Sequence, residues 1–190
     1  LDSPEAVGRE AAARALKRLD ARQVKTKVVP VIYPAEVARG LFGHLLGAVR
    51  GTSQYRKSTF LLNALGEALF PSFVDIEEDP FIPRGMASAP FDAEGVATRR
   101  RMLVEGGVLR GYLLSSYSAR RLGMQTTGNA GGVHNLIVKP TAGGLDEIIA
   151  DCDEAFVVGE LLGQGVNPVT GDYSRGAAGF WVERGKIAYP

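Results

Sequence analysis

The sequence has few of the residues that commonly build catalytic and metal sites. Among its 190 residues there are one cysteine, Cys152, and two histidines, His44 and His134. The single cysteine excludes a disulfide within the chain and fits a reducing compartment, so we expect a cytoplasmic location. It also excludes the paired cysteines that hold zinc in a zinc finger.

An excess of charge and a long apolar run are missing too. The 22 basic and 21 acidic residues leave a net charge of +1, which gives no electrostatic basis for binding nucleic acid or an anionic membrane. No apolar run approaches the roughly 20 residues of a membrane-spanning helix. We therefore expect neither direct nucleic-acid binding nor a membrane location.

Common nucleotide-binding and nucleophile motifs are not found. The segment Gly163-Gln-Gly165 lacks the third glycine of a dinucleotide-binding loop, and no P-loop pattern occurs. Segment 171–176 is one residue longer than the Gly-x-Ser-x-Gly pattern of hydrolases, so Ser174 is interpreted as a turn residue. Cys152, on the apolar face of a predicted helix, is interpreted as a core thiol.

The residues that are present predict an α+β fold. Helical patterns come first, at 3–20 with Ser3 as cap, at 36–51 and in an amphipathic segment at 60–70. Strand patterns dominate from residue 73. Glu105-Gly106-Gly107 and Arg184-Gly185 predict hairpin turns at 105–107 and 184–185. Further elements are expected as strands at 133–138 and 155–160 and helices at 115–122 and 144–152. This order favours a mostly antiparallel, curved or barrel-like β-sheet with flanking helices.

The predicted domain organisation has two parts. Residues 1–24 are expected to form a linker helix that leads from an N-terminal domain outside this sequence. Residues 25–190 are expected to form a C-terminal α+β domain, truncated at its C-terminal end, because the last strand pattern stops at Tyr189-Pro190.

Two charged runs within the strand region are interpreted as solvent-exposed. Arg99, Arg100 and Arg101 form a short basic run, in which strand alternation places Arg100 on one face and its neighbours on the other. The acidic run 75–79 is interpreted as surface rather than as a cation site.

Helix 36–51, EVARGLFGHLLGAVRG, has the outline of a zinc-protease helix without its chemistry. Such a helix needs a histidine, a glutamate beside it and a second histidine about one turn later, whereas Leu45 follows His44 and Val49 lies five residues on. Its glycines at 40, 43, 47 and 51 share one side, at a cost of about 1 kcal/mol each. We expect another backbone to pack against that side.

The two histidines each allow more than one interpretation. His44 is expected to be a packed residue satisfied by a carbonyl, with a catalytic, relict or interface role as alternatives. His134, at the end of a glycine-rich loop, is expected to pair locally. The two could also bind a metal together with a third ligand, although no acidic partner is identifiable.

Four ordered blocks together resemble the TldD/PmbA family, known in older usage as modulators of DNA gyrase, and most closely its PmbA (TldE) branch. The blocks are GLFGHLLGAVRGTSQYRKSTFLLNALG, ASAPFDAEGVATRRRMLVEGGVLRGYLLSSYSARRLG, TGNAGGVHN and GELLGQGVNPVTGDYSRGAAGFWVERGKI. The resemblance implies the C-terminal α+β domain of a cytoplasmic peptide-processing protein. In the TldD branch it implies a His-Glu-x-x-x-His zinc helix, with a cysteine near the C-terminus as third ligand.

Carried over to this sequence, His44 matches the first histidine of that motif, Leu45 the glutamate and Val49 the second histidine. Leucine cannot activate a zinc-bound water and valine cannot bind a metal. We therefore expect no confident catalytic residue, no cofactor-binding residue and no metal in this chain, with zinc in a partner subunit.

The resemblance thus implies a PmbA/TldE-like subunit that works with a TldD-like zinc metalloprotease on extended or unfolded peptides or on leader peptides. A homodimer is also possible. Two alternatives stay open: an autonomous metallopeptidase that uses an atypical metal site with His44 and His134, and a non-proteolytic regulatory protein that acts on gyrase.

Overall fold

A computed structural model describes residues 2–141 and 143–190. It contains short helices and two open four-stranded sheets, so the predicted α+β class is confirmed and the strands form no closed barrel within those residues. The helices are α1 (Pro4–Leu16), α2 (Ala35–Ala48), α3 (Gly51–Tyr55), α4 (Ser116–Leu122) and α5 (Leu145–Ala150). The strands are β1 (Val31–Ile32), β2 (Ile76–Asp79), β3 (Arg101–Glu105), β4 (Val108–Leu109), β5 (Asn135–Val138), β6 (Glu154–Leu162), β7 (Gly176–Glu183) and β8 (Lys186–Tyr189).

The chain divides into two compact units. The first comprises residues up to 39, residues 143–165 and residues 174–190, and the second comprises residues 40–141 and 166–173. The first unit contains residues on both sides of the predicted domain boundary between residues 24 and 25. That boundary stays a prediction.

The first unit is built on the sheet β1-β6-β7-β8, in which β1 and β6 are parallel and the other pairs antiparallel. Ile149 of α5 packs on one face of this sheet with Ile32, Ala155, Val157 and Val182. Cys152 packs against the same cluster, and its thiol donates to the Ile148 carbonyl at 3.3 Å. Cys152 is thus a partly buried residue at the edge of this core rather than a fully buried core thiol.

Helix α1 begins where the sequence predicts and ends earlier. The Ser3 hydroxyl accepts the Ala6 amide at 3.2 Å, and the helix ends at Leu16 rather than at residue 20. None of its residues is buried. Its helical form thus depends on capping and on local pairs such as Glu10–Arg14.

The second unit is built on the antiparallel sheet β4-β3-β2-β5. Its core brings α2 against this sheet through Leu45, Val49, Ile76, Leu103 and Leu114. The hairpin between β3 and β4 has the predicted two-residue turn, with Gly106 at φ +56° and Gly107 at φ +78°. Gly107 has no room for a side chain, because a Cβ there would lie 2.7 Å from the Pro71 carbonyl oxygen.

The prediction of a regular amphipathic element over 60–70 is wrong. The segment forms successive turns, in which Asn63 and Gly66 have positive φ values of 59° and 88°. Its backbone bonds instead to the β3–β4 hairpin, since the Gly66 amide donates to the Leu109 carbonyl and the Leu69 amide to the Gly107 carbonyl.

Candidate functional site

Helix α2 ends one turn earlier than predicted, and side chains cap its last carbonyls. The Ser53 hydroxyl donates to the Gly47 carbonyl at 2.8 Å. The Gln54 amide and the Thr59 hydroxyl both donate to the Ala48 carbonyl, at 3.0 and 2.9 Å. These bonds satisfy carbonyls that a helix end leaves unpaired. They place Val49 in the turn between α2 and α3 rather than within the helix.

The two positions that would carry the zinc-motif glutamate and second histidine lie in the apolar core. Leu45 is 7% exposed and Val49 is fully buried, and both belong to the core cluster of the second unit. A carboxylate or an imidazole at either position would be surrounded by hydrocarbon and would need a partner to offset the loss of water.

His44 lies beside these residues but in different surroundings. It is partly buried, and its ring meets the Tyr173 ring edge-on, with centroids 5.9 Å apart and planes at 76°. Within residues 2–141 and 143–190 its ring nitrogens have no hydrogen-bond partner. The expected carbonyl partner of His44 is therefore replaced by an aromatic contact.

The expectation of close backbone packing along the glycine side of α2 is wrong for three of its four glycines. A Cβ added at Gly40, Gly43 or Gly47 would meet nothing within 4 Å. Only Gly51, at the start of α3, is tightly packed: a Cβ there would lie 2.5 Å from Ser118 Cβ and 2.8 Å from Leu114 Cδ2.

A buried polar cluster, formed by Glu78, Arg101, Asn129 and His134, lies on the sheet of the second unit. Glu78 is 1% exposed. One of its carboxylate oxygens accepts the Arg101 guanidinium Nε at 2.8 Å. The other accepts the Asn129 side-chain amide at 2.7 Å and the His134 backbone amide at 2.9 Å. We call these four residues the Glu78 cluster.

His134 contacts Glu78 through its ring as well. Nδ1 lies 3.0 Å from the same carboxylate oxygen, and because an ionised carboxylate only accepts, Nδ1 carries the proton. Arg101 is also held by the Tyr112 carbonyl at 3.0 Å and the Asn129 side-chain oxygen at 2.8 Å. Every member of the Glu78 cluster therefore has a partner, as a stable buried network requires.

The environment of Glu78 favours its charged form. Burial by itself raises the pKa of a carboxyl, but the His134 amide and the Arg101 guanidinium outweigh it and hold the pKa of Glu78 below its ordinary value. Asp92 behaves in the same way, because the amides of Ala130, Val96 and Glu94 outweigh burial and lower its pKa.

The interpretation of both charged runs as solvent-exposed is therefore wrong for their inner members. Glu77 is 9% exposed and Glu78 is 1% exposed, and the Arg101 side chain is 12% exposed. Arg100 pairs with Glu77 at the more exposed edge. The sequence shows an acidic run and a basic run, but the pairing of these runs becomes visible only in the register of β2 and β3.

No group of three or more histidine, cysteine, aspartate or glutamate side chains that could hold a metal occurs among the described residues. The Nδ1 atom of His134 is bonded to Glu78. His44 has neither an acidic neighbour nor a second imidazole at the motif spacing. In the part of the chain that the structure describes, no helix is long and apolar enough to cross a membrane.

Comparisons with known proteins place these features in a family. The model of the PmbA/TldA metallopeptidase C-terminal domain matches residues 26–190. Metalloprotease PmbA of Escherichia coli O157:H7 is 52% identical over 190 residues, which is all of this chain and 42% of that protein. The chain therefore spans about two fifths of the length of this relative.

Two solved structures are similar in fold. A Bacteroides thetaiotaomicron protein named "putative modulator of DNA gyrase" matches with a TM-score of 0.92 and 29% identity, over 96% of this chain and 41% of that one. TldE from Thermococcus kodakarensis matches with a TM-score of 0.83 and 28% identity, over 96% of this chain and 44% of that one.

Proposed function

Because the chain belongs to the PmbA/TldD metallopeptidase family, we propose that it is part of the non-catalytic subunit of a TldD-type metalloprotease complex. A zinc-bearing TldD-like partner would supply hydrolysis. The pair would act in the cytoplasm on extended or unfolded peptides or on leader peptides.

The observation that carries the proposal is the burial of Leu45 and Val49. The resemblance to the TldD branch matches them to the motif glutamate and second histidine. Both pack in the apolar core of the second unit. Because these side chains contribute to the core, a glutamate and a histidine in their place would require the core to change as well.

The donor set of α2 does not fit a zinc ion. Structural and catalytic zinc sites use at least three nitrogen, sulfur or oxygen donors from the protein. His44 offers one imidazole, and its neighbours at the motif spacing are hydrocarbon. We therefore expect the partner, and not helix α2 of this chain, to carry out hydrolysis.

Two surfaces support a role in binding rather than in hydrolysis. The open side of α2 at Gly40, Gly43 and Gly47 would let another backbone approach closely, which suits a partner subunit. Within residues 2–141 and 143–190, strand β5 is an edge strand that pairs only with β2, so its free edge could accept an extended peptide by strand addition.

The deciding experiment is proteolysis of an unstructured peptide by the full chain alone, by a TldD-like subunit alone and by their mixture. We expect cleavage only in the mixture, with zinc bound stoichiometrically to the partner. Replacing the motif glutamate in the partner by glutamine should abolish cleavage without preventing association. Cleavage by the full chain alone would overturn the proposal.

An autonomous metallopeptidase is the second candidate, favoured by the name metalloprotease that the Escherichia coli relative carries. Metal analysis separates the two candidates. Zinc that the full chain retains after dialysis, and loses in His44→Ala, would favour autonomous activity over the partner role.

A non-proteolytic regulator of gyrase is the third candidate, favoured by the name of the Bacteroides thetaiotaomicron protein. Affinity capture from cytoplasm distinguishes it, because the partner role requires recovery of a TldD-like subunit. Recovery of gyrase without that subunit would favour the regulator.

A further inference from the structure

A small cavity lies directly after the zinc-motif positions, where α3 begins. Its volume is about 250 Å³, and its lining includes Arg50, Thr52, Ser115, Ser118, Asn129 and Gly131. We call it the Arg50 pocket. Ligand sites for whole small molecules are usually about 300–1,000 Å³, so this pocket suits the end group of a larger ligand.

The Arg50 pocket offers solvent-exposed hydrogen-bond donors that a ligand can reach. The Arg50 guanidinium, the Thr52 hydroxyl and the Gly131 amide have no partner within residues 2–141 and 143–190. Gly131 has a φ of +100°, which a residue with a side chain rarely adopts. The backbone at this position therefore depends on glycine.

The walls of the Arg50 pocket are held in place by bonds that involve other groups. The Ser115 and Ser118 side chains form a capping box at the start of α4. The Asn129 side-chain amide donates to Glu78, and the Asp92 carboxylate accepts the Ala130 amide at 2.9 Å. A rigid wall lowers the ordering cost of binding.

The charges around the Arg50 pocket favour an anion. No lining residue is acidic. Two nearby carboxylates are already engaged, since Asp92 accepts three backbone amides and Glu94 accepts the Ser116 amide at 2.8 Å. Arg50 is the one charged lining residue, and its guanidinium geometry matches a carboxylate.

We propose that the Arg50 pocket binds the C-terminal carboxylate of a peptide. One arginine balances the single negative charge of a carboxylate, whereas a phosphate monoester carries about −1.5 to −2. The choice of a peptide as the ligand rests on the proposed function, whereas the choice of a carboxylate rests on the pocket alone.

The test uses the ¹⁵N-labelled full chain without any partner, so it can fail while the proteolysis experiment succeeds, and the reverse. N-acetyl-Ala-Ala with a free C-terminal carboxylate is titrated and the Gly131 amide signal is followed. We expect a saturable shift. The same peptide as its C-terminal amide should bind at least about tenfold more weakly, because a charged hydrogen-bond acceptor is lost.

Variants localise the effect. Arg50→Gln should weaken binding by about tenfold or more, and Thr52→Val, which keeps the shape of the side chain, by a few-fold. Arg56→Gln is the matched control, because Arg56 is exposed and does not line the pocket, and it should bind like the wild type. Folding of each variant is checked by its amide spectrum.

Three results would overturn the proposal: equal affinity for the acid and the amide peptide, unchanged affinity in Arg50→Gln, or binding of inorganic phosphate at least as tightly as the acid peptide. An acetylated peptide whose only carboxylate is an internal aspartate side chain, with an amidated C-terminus, should bind more weakly than N-acetyl-Ala-Ala. Equal binding of that peptide would overturn the assignment to a peptide end.

Discussion

His44 and His134 lie in the same compact unit and have opposite surroundings. His44 has hydrocarbon at both motif positions, an aromatic ring at its edge and no hydrogen-bond partner in the described part of the chain. His134 has a buried carboxylate that is shared with an arginine and an asparagine. Helix α2 is thus apolar beside His44, and the buried charges of this unit lie on the sheet.

The two sites differ in how strongly their residues depend on one another. A buried charge must be paired, so the Glu78 cluster is fixed by its own electrostatics. Leu45 and Val49, by contrast, contribute to the core of the second unit through apolar packing alone. We expect the Glu78 cluster to be the less replaceable of the two, because removing one partner leaves the other buried and unpaired.

The largest expected effect is that of Glu78→Gln. It removes the charge that faces the buried Arg101 guanidinium, and breaking a buried pair in this way costs about 3–5 kcal/mol. Urea unfolding of the full chain, followed by circular dichroism, measures the loss in the free energy of unfolding.

The control for Glu78→Gln is Glu105→Gln. Glu105 forms an exposed pair with Arg110, with side chains 57% and 49% exposed, and such pairs contribute about 0–1 kcal/mol. Similar losses in both variants would show that the Glu78 cluster is not a buried ion pair in solution.

The next effect compares two neighbours on α2. Leu45→Ala should destabilise the protein by about 2–5 kcal/mol, because it opens a cavity in the core. His44→Ala should cost about 0.5–1.5 kcal/mol, the range of an aromatic edge contact. Urea unfolding measures the free energy of unfolding of the two variants. A larger loss of stability in His44→Ala than in Leu45→Ala would show that His44 has a structural role beyond its contact with Tyr173.

The parts of the fold that depend on local signals could be predicted from the sequence. The Ser3 cap, the two-residue hairpin turns and the end of α4 at Gly123 depend on neighbours in the chain. Segment 60–70 could not be predicted, because its backbone partners lie at residues 107–109, about 40 positions away. Its apolar spacing reflects contacts with the core rather than a regular helix.

The Glu78 cluster could not be predicted for a related reason. The acidic run and the arginine run are typical of a solvated surface when each is considered alone. Only the register that places Glu78 opposite Arg101 across β2 and β3 brings the two charges together. His134 joins them because β5 lies on the other side of β2, and no signal near His134 in the sequence points to Glu78.

Two glycines of the zinc-motif segment should respond in opposite directions to alanine. Gly51→Ala would force a Cβ against Ser118 and Leu114, and such overpacking costs about 1–3 kcal/mol. Gly43→Ala enters open space within α2 and should add about 0.5–1 kcal/mol, because alanine favours the helix.

Thermal or urea unfolding gives the sign for each alanine variant. A loss of stability in the isolated Gly43→Ala chain would mean that another part of the same chain fills the open side of α2, which contradicts the open space beside Gly43. If a partner backbone packs there, as we propose, Gly43→Ala should stabilise the isolated chain and weaken its association with a TldD-like subunit. The two readouts together separate folding from assembly.

The smallest expected effect is the response of stability to acid. Because the folded protein holds the pKa of Glu78 below its ordinary value, the carboxylate stabilises the fold fully above the unfolded pKa of about 4.3 and loses this contribution as the pH falls through the folded pKa. Stability should therefore be insensitive to Glu78 near neutral pH and fall only below about pH 4.3. Carboxyl ¹³C signals followed from pH 6 downward measure the titration directly. A midpoint for Glu78 at or above the ordinary glutamate value of about 4.3 would mean that burial outweighs Arg101 and His134, and the ion-pair description of the Glu78 cluster would be wrong.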